Sequence, residues 1–174
     1  MENIILIIVL FICLITDIKS RKILNIITLP TIVFGLVFYI FTSGFEGFLY
    51  SGQGFLVGLV LLLIPYLLGG MGAGDVKLMA AIGALMGTSF VFYSFIYTAL
   101  FGGVISILLI FKTYGFINTM KSLFINIKSF FFIIFFRSNL GSIIFSKEKK
   151  SRVEFPYGVA IVLGTFCTLV WGGF

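Results

Sequence analysis

Asp17 and Asp75 are the only aspartates in the chain, and each stands at the edge of an apolar run. A carboxylate in such a place is costly in a bilayer and normally faces a bundle interior or a water-filled cavity, so each marks a functional position. Two neighbouring carboxyl groups cannot easily both ionise. One keeps its proton while the other takes a proton from a water that attacks a carbonyl carbon, which is how paired aspartates hydrolyse a peptide. The sequence has no histidine, which removes Ser/His and Cys/His nucleophile pairs and histidine metal sites. Cys13 and Cys167 lie in apolar runs without CxxC spacing and read as small buried hydrophobes, so neither a metal nor a cofactor is expected.

Each aspartate also has a purely structural explanation. Asp17 precedes Arg21 at the spacing of a helical ion pair on an exposed helix end, worth a few tenths of a kcal/mol at most. Asp75 follows a glycine-rich stretch and suits the first turn of a helix, where an acid caps N–H groups and complements the macrodipole. The surrounding residues, Gly69-Gly70-Met71-Gly72-Ala73-Gly74-Asp75-Val76-Lys77-Leu78, favour more than a cap. Their glycines permit close backbone approach, as an extended peptide strand beside the carboxylate would need. Lys77 is expected to anchor a cytoplasmic helix end rather than to stabilise developing negative charge.

The elements that must position these acids are membrane helices. Of the 174 residues, 60% are hydrophobic and 10% charged, far from the roughly 25% charged residues of soluble domains. Apolar runs cover Ile4 to Thr16, Ile26 to Thr42, Phe55 to Leu68, Val76 to Met86, Phe90 to Phe111 and Phe155 to Trp171. A spanning helix takes about 20 residues, so the expectation is an all-α polytopic membrane protein of about six transmembrane helices, without a separate soluble domain. No removable signal peptide is expected, because Glu2 stands where a basic segment would. Pro30 is expected in the first turn of the second helix, and Pro65 is expected to bend the third. Ala80, Ala81, Gly83, Ala84 and Gly87 suit close helix contact and mark the fourth segment as central.

The net charge of +6 reads as topology, with no nucleic acid implied. Lys19, Arg21 and Lys22 follow the first run, Lys77 follows the third, and the other basic residues, Lys112 to Arg152, follow the fifth. The positive-inside rule then puts these segments and both aspartates at the cytoplasmic face of the cell membrane, with both termini outside. Leu123 to Phe136, interrupted by Asn126 and Lys128, is expected to be an interfacial segment before the last helix. The basic residues around it suit anionic membrane lipids.

Gly72 to Leu78 resembles the G-x-G-D-x-K-L signature of type IV prepilin peptidases. Asp17-Ile18-Lys19-Ser20-Arg21-Lys22-Ile23-Leu24-Asn25 is similar to that family's first-aspartate segment, with Leu24 where a proline is usual. Phe155-Pro156-Tyr157-Gly158-Val159-Ala160 is similar to the motif that opens its last helix. The resemblance covers nearly the whole chain. It implies that Asp17 and Asp75 are a catalytic pair and that prepilin, pseudopilin or archaellin-like precursors are the substrates. It makes Arg21, Asn25, Gly72, Gly74, Lys77 and Pro156 candidates for positioning the acids or binding the leader. The chain resembles the short, peptidase-only forms, so residues 1–174 are expected to form a single membrane-embedded domain without a methyltransferase domain. The competing functions are a small ion- or proton-coupled transporter component using the same carboxylates, and an assembly subunit in which they only cap helices.

Overall fold

The computed structural model describes residues 2–20, 23–68, 70–114 and 157–172. They form four helices in chain order, α1 (Glu2–Ser20), α2 (Asn25–Leu67), α3 (Ala73–Tyr114) and α4 (Tyr157–Trp171), with no strand among the described residues. Residues Met1–Gly103 and Pro156–Phe174 make one compact unit, which contains both aspartates, and Val104–Phe155 make a second, of which the end of α3 is described. The stretch Leu123 to Phe136 lies outside the described residues.

Three of these helices, Glu2–Ser20, Asn25–Leu67 and the Ala73–Leu109 part of α3, are long and apolar enough to cross a membrane. The second and third are too long to be single rods in a bilayer. At 43 residues α2 would measure about 65 Å if straight, and α3 at 42 residues nearly the same, against a hydrocarbon core of about 30 Å. Each is broken once by a glycine in the left-handed region, Gly44 at φ 62° in α2 and Gly87 at φ 80° in α3, a conformation that a side chain would strain. The turn at Gly44 reverses the chain. Tyr39 and Tyr50 would stand roughly 16 Å apart along a straight helix, yet their ring centroids are 5.0 Å apart.

The chain between the second and third apolar runs is helical but for this turn. It turns at Gly44 and is helical again through Phe45, Phe48 and Leu49, because one flexible residue suffices for the reversal. Pro30 also falls later than expected. The helix starts at Asn25, which puts this proline in the second turn, where its missing N–H costs the carbonyl of Ile26 a partner. Backbone dihedrals stay helical through Pro65, so the only break within α2 is at Gly44.

The segment 73–86 is central, as its small residues imply. Leu78, Met79, Ala80, Ala81, Ile82, Ala84 and Leu85 are all buried, so this helix is covered on every side. Both arms of α2 press their backbones on it. A Cβ on Gly35 would lie 2.7 Å from the Ala84 carbonyl oxygen, and one on Gly54 or Gly58 would collide with the carbonyls of Gly83 or Met79. Lipid offers no hydrophobic drive between helices, so this backbone-to-backbone contact supplies the attraction. In α1, Leu6, Val9, Leu10, Cys13 and Asp17 are the buried residues and recur at helical spacing, so Asp17 shares the stripe that faces the core. The helix packs on α2 and α4, while Phe11, Ile15 and Ile18 on its other side stay exposed for lipid.

The glycine contacts separate two substitutions within one helix. Gly54→Val meets backbone that cannot give way and should destabilise by about 3 kcal/mol. A Cβ on Gly52 meets nothing, so Gly52→Ala should be neutral or stabilise by about 0.5–1 kcal/mol through helix propensity. Thermal unfolding in detergent checks both, and equal losses would contradict the packing described.

Candidate active site

Asp75 occupies the first turn of α3. Its Oδ2 accepts a hydrogen bond from the Gly72 N–H at 3.1 Å, and its own N–H donates to the Gly72 carbonyl at 3.2 Å. This is half of a capping box, in which a side chain three residues into the helix reaches back to the residue that starts it. Gly72 has little room for a side chain, since a Cβ there would lie 3.2 Å from Asp75 Oδ2. Gly74 serves packing: a Cβ on it would lie 2.9 Å from the Ile23 Cβ and 3.1 Å from the Ile23 carbonyl oxygen. The segment linking α1 to α2 thus lies directly against the first turn of α3.

Asp17 approaches from the opposite end of the sequence order. It is 4% exposed, so the exposed-helix-end explanation does not describe it. Its Oδ2 accepts the Val159 N–H at 3.1 Å, and Gly158 closes over the same carboxylate, with a Cβ there lying 2.6 Å from Oδ2. Both aspartates therefore satisfy backbone N–H groups at helix starts, Asp75 at α3 and Asp17 at α4. Helix N-termini favour negative charge through these unpaired donors and the macrodipole. Asp75 is 8% exposed, and Asp17 is near enough for its charge to bear on it. The phenol of Tyr157, one residue before Gly158, stands in the field of Asp75. The opening turn of α4 thus meets Asp17 through Gly158 and Val159.

Two other candidate residues are brought together at the rim. Lys77 Nζ donates to Asn25 Oδ1 at 2.9 Å in an exposed position, which ties the start of α2 to the first turns of α3. Leu24 supplies no side-chain cap to α2, and this bond is a polar fixture of that helix start among the described residues. Arg21 and Pro156 lie outside the described residues. Tyr157, Gly158 and Val159 are site residues that the aspartate pattern alone does not reveal. The signal for them is a glycine two residues after Pro156 at the head of an apolar run, a helix start whose free N–H groups attract an anion.

The contact between Gly158 and Asp17 gives a test by coupling. Gly158→Ala places a methyl against the carboxylate and should cost about 1–3 kcal/mol. Asp17→Gly removes the obstructing group, so the double variant should lose less than the sum of the two single losses. Unfolding midpoints of the four proteins measure this, and additive losses would disprove the contact.

Comparison with known proteins yields one family. The pattern of the type IV leader peptidase family matches residues 4–107, a stretch holding both aspartates. No curated protein matches the chain, and no solved structure does.

Proposed function

This chain belongs to the type IV leader peptidase family, and from that premise we propose that it cleaves the leader from prepilin-like precursors, with Asp17 and Asp75 as the catalytic pair. A peptidase of apolar helices is the coarser statement, carried by the family match and the three long helices. The observation that supports the pair is that both carboxylates, one on α1 and one in the first turn of α3, are buried and near enough for the charge of one to bear on the other.

In this reading the chain crosses the membrane about six times, along the helical segments 2–20, 25–43, 45–67, 73–86, 88–114 and 157–171. The fourth and sixth are short; α4, at 15 residues, spans only about 22 Å. A short span leaves its end within the depth of the bilayer or beside a thinned region. Both short segments begin at the aspartates, so water and an extended leader reach the acids at a recess on the cytoplasmic side, where the basic residues put this end of the bundle.

A water held between the carboxyl groups loses a proton to the ionised acid as its oxygen attacks the scissile carbonyl carbon. The protonated acid gives its proton to the carbonyl oxygen, which forms a neutral gem-diol. One gem-diol hydroxyl then returns its proton to the carboxylate as the carbonyl re-forms and the C–N bond breaks, and the leaving amine takes the proton held by the other carboxyl group. The hydrogen bonds from Gly72 and Val159 hold one oxygen of each acid, which fixes the direction of the pair. The rim pair Lys77 and Asn25 adjoins the path of the leader, and Gly72 and Gly74 shape the wall behind Asp75. The family match favours hydrolysis over ion or proton transport.

Cleavage of a co-expressed prepilin-like precursor tests the pair. Asp17→Asn and Asp75→Asn should each lower the rate by at least about 100-fold at equal membrane levels. Asparagine keeps an oxygen that can accept from Gly72 or Val159, so both variants should still fold. Persistent cleavage by either would remove that residue from the pair.

A further inference from the structure

The helix that carries Asp75 ends at Gly87, and a helix ending inside a bundle leaves its last carbonyls without backbone partners. Here each of the last three carbonyls meets a hydroxyl. Ser51 Oγ donates to the Ala84 oxygen at 2.7 Å, Tyr50 donates to the Met86 oxygen at 2.8 Å, and the Tyr39 hydroxyl lies 3.1 Å from the Leu85 oxygen. Tyr39 comes from the first arm of α2, and Tyr50 and Ser51 come from the second. The Tyr39 oxygen also lies 2.8 Å from Glu2 Oε2, so its single proton is shared between a carboxylate and a carbonyl. Gly87 makes room for this arrangement, since a Cβ there would collide with the Tyr50 ring.

We propose that the hydroxyls of Tyr39, Tyr50 and Ser51 form a clasp on the C-terminal carbonyls of the segment 73–86 and act through it as positioning residues for Asp75. The inference rests on the catalytic reading of Asp17 and Asp75. A helix is stiff along its axis, and this one runs from Asp75 to the clasp over roughly 16 Å. Its flanks carry few polar fixtures: Gly35, Gly54 and Gly58 meet it backbone to backbone, a contact that permits sliding and rotation. Hydroxyls on three successive carbonyls fix both height and rotation, because each carbonyl points about 100° around the axis from the one before. The position of the Asp75 carboxylate is then set at the far end of its helix as well as by Gly72. A displacement of about 1 Å at a reacting group is enough to cost much of a rate.

Tyr39→Phe, Tyr50→Phe and the double variant remove only hydroxyl oxygens and keep the tilted ring contact. In purified, reconstituted protein, each single change should lower kcat about tenfold and the double change about 100-fold, with KM for the leader peptide within about twofold of the unaltered protein. A wild-type kcat, or a loss confined to KM, overturns the clasp. Amide hydrogen exchange at residues 77–80, the first bonded turn beyond Asp75, supplies a readout independent of cleavage. It should quicken about tenfold in the double variant while the protein remains folded by its unfolding midpoint, and unchanged exchange overturns the clasp whatever the rates. Asp17→Asn and Asp75→Asn run beside it: cleavage by these removes the catalytic reading and leaves the clasp to be judged on exchange alone.

Discussion

A helix that starts or stops within a bilayer must find partners for the N–H and carbonyl groups its geometry leaves over, because lipid supplies none. The arrangement of this protein follows from that requirement. The chain breaks two long helices, at Gly44 and Gly87, and begins others at Ala73 and Tyr157. Carboxylates take up N–H groups at the two starts and hydroxyls take up carbonyls at the Gly87 break. The acids at the starts are the two aspartates. Capping and catalysis, which the sequence offers as alternatives, are therefore compatible uses of the same side chains: one oxygen can hold the fold while the other faces a substrate.

Close packing is the second constraint, and it falls on the segment 73–86. Its neighbours approach through glycine, which leaves no cushion of side chains between backbones. Such an interior transmits displacement rather than absorbing it. The first turn of α3 is fixed by Ile23 against Gly74 and by the Lys77–Asn25 bond, so the links before α2 and before α3 act as one wall of the site.

Much of this is legible in the sequence, for stated reasons. Asp17 stands out as the acid at the end of an apolar run, but the inward stripe of Leu6, Leu10 and Cys13 cannot be read beforehand, because Ile4 to Ile15 are apolar on every side of the helix. The alanines and glycines after Leu78 announce a helix wrapped on all sides. What cannot be read is partnership across distance. Nothing in the composition of α1 names Val159 as the donor to Asp17, and nothing near Lys77 names Asn25. The turn within α2 is also hidden, because Glu46, Ser51, Gln53 and four glycines are scattered from Ser43 to Gly54, whereas a single positive-φ glycine performs the reversal and the helix resumes.

The bond from Val159 to Asp17 joins residues 142 positions apart, and this separation has a meaning during synthesis. At roughly 5–20 residues per second, Asp17 is made some 7–30 s before its donor exists. Over that interval the nascent chain carries a carboxylate on the inward stripe of its first helix without the N–H that will hold it. That bond therefore closes only once the last described helix has been made, so fastening α1 to α4 is a late step in the assembly of the fold.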